Sequence, residues 1–291
     1  MNLLKNLAFV TCRDWPELTP SDRLAAQVLR QAGDHVSPAI WDDGEVDWRS
    51  YDAVVLRSTW DYHLRPDAFR DWLARLGRSG CELWNPTEMV LWNMDKSYLG
   101  LLETSGVPIV PTVFLKKGEK ASLLDLMDHF DCPELVIKPT IAATAHGLTR
   151  VSRHDAARHQ ARIDDTLEQQ QLMAQPLVKE VPENGEWSLI FFDGEFSHAV
   201  VKRARMGDLR VQSEHGGRTD FRHPHAALLE QANEILRRVE SRSLYARVDL
   251  VEVEGRALLM ELELIEPELY FFCDENSPER FRKALHSVLA G

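Results

Sequence analysis

Arg247-Val248-Asp249-Leu250, the turn-forming pair Glu254-Gly255, and Met260-Glu261-Leu262-Glu263-Leu264 decide how this chain is read. Charged and apolar residues alternate with period two in both runs, the pattern of β-strands with one buried face. Met260, Leu262 and Leu264 then face a core, while Glu261 and Glu263 share the other face. Asp249 joins them if it pairs opposite Glu261, a register expected from an odd-length loop such as Glu254-Gly255-Arg256. A two-residue turn would set Asp249 opposite Met260 unless a bulge compensates. Three carboxylates on one face repel unless a cation lies between them, and Mg²⁺ held by carboxylates and phosphate oxygens fits that need. Glu-x-Glu alone is more often a solvated strand face. The leucine-rich strand, with Asp249 and Arg247 opposite, favours the metal: Asp249, Glu261 and Glu263 are its expected ligands.

Working outward, Glu186–Phe192 and Glu195–Val201 flank Asp193-Gly194, the pair a type I′ hairpin turn requires. Leu135–Ile137 and Leu172–Ala174 are further buried strands. Lys138 ends the first of them and can serve as a point charge for phosphate. The loop that follows, Thr140–Gly147, has small side chains, including Ala143 and Thr144, that let backbone N–H groups approach phosphates. Gln175-Pro176-Leu177 offers a carbonyl before proline and an N–H after it, a pair suited to an adenine edge; a plain strand end explains it equally well. Glu180 and Glu186 are candidates for ribose hydroxyls. Asn93 is expected to open a helix ending near Gly106, with Lys96 in its first turn. Lys202, Arg203, Arg205 and Arg210, with Gly216-Gly217, form a basic cluster. Singly, each of these lysines and arginines is more often a surface residue.

The first ninety residues read as a small parallel α/β unit. Strands are expected at Leu7–Val10, near Val36, at Ala53–Leu56 and at Glu82–Trp84, with a helix capped by Thr19 before Pro20 and another from Pro66 to Leu76. Asn85-Pro86-Thr87-Glu88 resembles a helix start, with Asn85 as its cap. Arg57-Ser58-Thr59-Trp60-Asp61-Tyr62 ends a parallel strand, where open α/β sheets bind ligands. Arg57, Ser58, Trp60 and Asp61 are therefore candidates for binding a zwitterionic substrate, with a packed aromatic loop as the rival explanation.

Composition narrows the function. The 291 residues carry 46 acidic against 34 basic side chains, a net charge of −12 that repels nucleic acid and anionic lipid alike. Four scattered cysteines form no CxxC pair, which speaks against zinc and disulfides and for a reducing, cytoplasmic setting. No apolar run reaches membrane-spanning length. Absence of GxxxxGK[ST] and GxGxxG removes the P-loop and the usual dinucleotide fold, and with it an NAD-dependent oxidoreductase.

In their order, Lys96, Lys138 with its small-residue loop, Gln175-Pro176-Leu177, Gly185-Glu186, Arg203, Arg210 before Gly216-Gly217, Asp249 and Glu261-x-Glu263 resemble the ATP-grasp superfamily in its glutathione-synthetase-like branch. Trp84-Asn85-Pro86, Arg57–Tyr62 and Glu195–Val200 resemble a narrower group that contains the cyclo-ligase of D-cycloserine biosynthesis. The resemblance implies an ATP-grasp fold of mixed α/β and α+β character behind a Rossmann-like N-terminal domain. Residues 1–92 would form the substrate-side domain and 93–291 the ATP-grasp domain, its small subdomain spanning 93–175 and its larger one 176–291. It implies an ADP-forming carboxylate–amine ligase working through an acyl phosphate, with ATP and Mg²⁺ (or Mn²⁺) and an amino-acid-like substrate, within or between molecules, in antibiotic biosynthesis. Lys96, Lys138, Ala143, Thr144, Gln175, Pro176, Leu177, Glu180 and Glu186 would contact ATP. Arg203 and Arg210 would stabilise the acyl phosphate, and Gly216 and Gly217 would contact substrate. Two departures are visible: an Ala/Thr-rich loop with His146 where glycines are usual, and Glu263 where glutathione synthetase has asparagine. The contrasting class is a catalytically silent nucleotide-binding protein acting through a partner. Oligomeric state is left open.

Overall fold

The computed structural model describes residues 4–203 and 217–290. The chain begins with β1 (Asn6–Thr11), α1 (Pro20–Gln31), β2 (His35–Ile40), β3 (Ala53–Ser58), α2 (Pro66–Ser79) and β4 (Glu82–Trp84). These strands form a parallel sheet in the order β2-β1-β3-β4. Alternation along β1 covers both faces. Leu7 and Phe9 pack with Ala25, Ala26 and Leu29 of α1, while Ala8 and Val10 pack with Phe69, Trp72 and Leu73 of α2. Thr19 caps α1 by accepting the Asp22 N–H at 3.1 Å.

Next come α3 (Thr87–Asn93), α4 (Tyr98–Thr104), β5 (Val113–Leu115), α5 (Leu123–His129), β6 (Glu134–Pro139), β7 (Thr149–Ser152), α6 (Ala156–Leu167) and β8 (Leu172–Pro176). A second, antiparallel sheet runs β5-β8-β6-β7. Leu135, Ile137, Leu172 and Ala174 bury one face of it under α5 and α6. Lys138 stands on the opposite face by strand alternation.

The chain ends with α7 (Glu180–Asn184), β9 (Glu186–Phe192), β10 (Glu195–Arg203), β11 (Arg218–Phe221), α8 (Ala226–Leu236), β12 (Tyr245–Val253), β13 (Arg256–Glu263) and α9 (Ser277–Val288). The antiparallel order is β11-β10-β9-β12-β13. Leu189, Phe191, Ala246 and Val248 pack against Leu228, Ala232 and Ile235 of α8. On the other face, Ile190, Phe192 and Val200 join α9 and the N-terminal sheet in one continuous core.

Two helix expectations are corrected. Asn93 ends α3 rather than opening a longer helix, and Lys96 lies in the link before α4. Asn85 is not a helix cap: buried, it donates to Tyr245 O (2.9 Å) and Leu264 O (2.7 Å) and accepts from Leu244 N (2.7 Å). Asn93 and Tyr98 act similarly on β13. Asn93 bonds Leu262 O and Leu264 N at 2.8 Å each, and the Tyr98 hydroxyl bonds Leu262 N at 2.9 Å and Leu262 O at 2.8 Å. Just before them on the strand, Leu259 exchanges backbone bonds with Pro108 O and Val110 N. Among the described residues, no helix is long and apolar enough to cross a membrane.

Candidate active site

Both central hairpins obey one rule. Each has a two-residue turn in the left-handed region: Asp193 (φ 50°) with Gly194 (φ 79°), and Glu254 (φ 50°) with Gly255 (φ 77°). The first is the turn expected from its dipeptide. The second replaces the odd-length loop expected from the sequence. In each hairpin a bulge then shifts the register by one residue. The pairing passes from Phe196↔Phe191 to His198↔Ile190 around Ser197, and from Leu250↔Leu259 to Asp249↔Glu261 around Met260. The bulges bring Lys202 opposite Glu186 and Glu261 opposite Asp249. Gly185 allows the entry to this sheet: its φ is 92°, and a Cβ there would lie 2.5 Å from Val201 Cγ1 and 2.9 Å from Lys202 O.

The charged end of this sheet face lines a cavity of about 470 Å³ shared with Lys138, the 142–148 loop, Trp60 and Tyr62, and residues 265–272. Asp249 is its buried centre. Arg247 Nη2 reaches it at 2.9 Å, Lys202 Nζ at 3.0 Å and Ser188 Oγ at 2.6 Å. Burial opposes its charge, yet Arg247 and Lys202 hold the carboxyl well below the ordinary range. Lys202 also reaches Glu186 at 2.6 Å, and Arg247 is paired with Glu263. Lys96 bonds Glu261 at 3.0 Å and Ala142 O at 2.5 Å, so it joins strand to loop.

The described lining residues include six carboxyl groups (Glu186, Asp249, Glu261, Glu263, Glu266, Glu268) against four lysines and arginines (Lys96, Lys138, Lys202, Arg247). The excess of negative charge is felt. Burial, then repulsion by Glu261 and Asp249, outweighs Arg247 and pushes Glu263 up to about 7; burial and Glu263 push Glu266 up to about 8. Lys138 has no hydrogen-bond or ion-pair partner among the described residues, and burial lowers its pKa. A divalent cation fits such a donor set of hard oxygens with surplus charge. The three expected ligands share a face, but the metal does not find them bare: each is tied to a protein cation, and among the described residues no ready-made metal cluster exists.

The structure brings Lys96, Lys138, Ala143, Thr144, Glu186, Asp249, Glu261, Glu263, Trp60 and Gly217 to this cavity. Other candidates lie elsewhere. The Leu177 N–H, expected to be open, donates to Glu134 O at 3.0 Å because β8 continues its pairing with β6, and the Gln175 side chain bonds Thr112. Gln175, Pro176, Leu177 and Glu180 are absent from the cavity wall. Arg203 pairs with Asp220 at 3.1 Å. Arg210 and Gly216 lie outside the described residues. The zwitterion site at Arg57 and Asp61 is corrected in favour of packing. Arg57 is 1% exposed and bonds Asp22 at 2.8 Å and Pro267 O at 2.8 Å, while Ser58 bonds Thr11. Asp61 accepts from Trp41 Nε1 at 2.8 Å and from Arg65 at 3.1 Å.

The wall also includes Glu266, Glu268 and Tyr270, which no period-two pattern marks because the chain has left β13. Lys202 and Arg247, read as a cluster member and a neighbour, prove to be the ion partners of the carboxylates.

Comparison with known proteins identifies the family and the fold. Residues 7–85 match the family model described as the N-terminal domain of D-cycloserine synthetase DcsG. The "Cycloserine biosynthesis protein DcsG" of Streptomyces lavendulae is 32% identical over 281 residues, covering 89% of this chain and 90% of that protein. The crystal structure of D-cycloserine synthetase DcsG superposes with a TM-score of 0.88 at 29% identity, covering 97% of this chain and 99% of that one. D-alanine–D-alanine ligase from Bacillus anthracis shares the fold at a TM-score of 0.68 and 16% identity, covering 98% and 96%. The chain belongs to the D-cycloserine synthetase DcsG family of ATP-grasp ligases.

Proposed function

We propose that this protein activates the carboxylate of a small amino-acid-like substrate with Mg-ATP and closes an amide bond within that molecule, releasing ADP and phosphate. The reading rests on family membership and on one observation: a cavity whose described carboxylates outnumber its described lysines and arginines, with Lys138 in its wall and unpaired among the described residues. Residues 1–92 form the substrate side and residues 93–291 the nucleotide side. Lys138, Lys96 and the backbone N–H groups of Ala143 and Thr144 hold the phosphates. Asp249, Glu261 and Glu263 hold Mg²⁺, which supplies Lewis-acid neutralisation of phosphate charge. With Glu261 and Glu263 holding a metal, Lys96 and Arg247, their present partners, would be available to anionic substrate groups. Arg203 and Arg210 serve the transferring phosphoryl group; Arg203 must first leave Asp220.

A carboxylate resists attack because its charge repels nucleophiles and its oxygen leaves poorly. Phosphoryl transfer to that oxygen removes both obstacles when cations offset the moving charge. Incubation with Mg-ATP and a panel of D-amino acid derivatives should release ADP and phosphate, with ¹⁸O from the substrate carboxylate recovered in the phosphate. AMP and pyrophosphate would mean an adenylate route. Nucleotide binding without any turnover would favour the silent class.

A further inference from the structure

We propose that Glu266 binds the α-ammonium of the substrate and so makes the enzyme select amino acids over the corresponding plain carboxylic acids. This deepens the proposed function and rests on it.

The other five carboxyl groups among the described residues of the cavity wall have partners. Lys202 serves Glu186 and Asp249, Lys96 serves Glu261, Arg247 serves Glu263, and the Tyr270 N–H donates to Glu268 at 2.8 Å. The Glu266 carboxyl lines the cavity with no hydrogen bond or ion pair from any other described residue. Its backbone is nonetheless fixed, because Trp60 Nε1 donates to Glu266 O at 2.9 Å, and Pro267 follows with its carbonyl bound by Arg57. A held backbone with an open, unpartnered carboxyl is the arrangement of a ligand contact rather than of a packing residue, and an ammonium beside it draws that carboxyl into its charged form.

The surroundings state the ligand's chemistry. Glu266 sits where the end of the metal strand meets the carboxyl end of the N-terminal sheet, beside the Trp60 and Tyr62 rings that line the same cavity. A carboxyl that shares a cavity wall with the Trp60 and Tyr62 rings suits a small ammonium group, which gains one charged hydrogen bond there. Lys96 and Lys138 stand on the same cavity wall for the anionic parts of the reactants. An amino acid therefore meets opposite charges at its two ends.

The test is direct binding of D-cycloserine to the whole protein saturated with Mg-AMP-PNP, compared with the same ring lacking its amino group. Wild type should bind D-cycloserine about tenfold or more tightly than the ring without the amine, the worth of a charged hydrogen bond. In Glu266→Gln the two should bind alike, with Glu266→Asp restoring part of the difference and AMP-PNP affinity unchanged throughout. Equal binding of both rings by wild type, or by wild type neither ring, overturns the proposal, and that comparison needs no variant. So does a preference for D-cycloserine that survives in Glu266→Gln, or a loss of Mg-AMP-PNP affinity in that variant, which would make Glu266 a metal ligand. Failure of wild type to bind Mg-AMP-PNP refutes the underlying ligase reading instead.

Discussion

Two segments of this protein set charged residues among apolar ones and use them in opposite ways. At the end of β3, Arg57 is sealed against Asp22, two backbone carbonyls and the face of Tyr245, 5.0 Å from its ring centre. Its charge is matched by one carboxylate, and three of its nitrogens have acceptors. In the cavity beside the β12–β13 hairpin the described carboxyl groups instead number six against four described lysines and arginines, and the surplus faces open space. Matched buried charge makes scaffold, because nothing further is needed for its stability. Unmatched charge beside a cavity is a site, because only a ligand completes it.

Five outcomes would sharpen or break that distinction. Glu261→Gln should reduce ADP release by about a thousandfold, the scale of losing one preorganised electrostatic contact in a transition state. Its melting temperature should hold within a few degrees, since size is preserved. Arg57→Met should do the reverse: a loss of about 3–5 kcal/mol in urea unfolding, because Asp22 is left as an unpaired buried charge. Nucleotide affinity per folded molecule should be unaffected. If Arg57→Met stays stable but loses substrate binding, the two regions are alike after all.

Lys138→Ala should weaken ATP binding roughly tenfold or more by calorimetry with little change in melting, because it breaks no hydrogen bond or ion pair among the described residues. Lys96→Ala should lower both, since Lys96 also ties Glu261 to Ala142 O. The smallest effect concerns pH. Glu263 and Glu266 have raised carboxyl pKa values, about 7 and about 8, so the native state holds protons that the unfolded chain releases near 4.5. Their contribution to stability is full below the unfolded value and lost as pH rises through the native ones. Mg-ADP should therefore raise the melting temperature more at about pH 8 than at about pH 6, by a few degrees. An equal shift at both would mean that the surplus charge is not what the metal relieves.

Much of this was legible in the sequence because it is local. Period-two alternation located the strands that carry the carboxylates, and the turn dipeptide Asp193-Gly194 fixed its own hairpin. The bulges were not legible. Nothing in Ser197 or Met260 announces an extra residue, yet without those bulges the two-residue turns would set Glu186 opposite Val201 and Asp249 opposite Met260. Charge pairing across strands thus depends on a register that only the assembled sheet reveals. Asn85 failed as a cap for a similar reason. Its partners Leu244, Tyr245 and Leu264 are more than 150 residues away in sequence, the shortest separation being 159. Arg57 was ambiguous because Asp22, 35 residues distant, is invisible to local pattern.

The side chains that grip β13 have a consequence for how molecules meet. β13 is an outermost strand, and such a strand ordinarily offers its free N–H and C=O groups as a template on which another chain can build. Here Asn93 and Tyr98 occupy the outward groups of Leu262 and Leu264, and Pro108 and Val110 those of Leu259. The strand that carries the two site glutamates therefore has these edge groups closed to β-sheet extension by another chain. Asn93→Ala would reopen it, with aggregation on gentle warming as the expected sign.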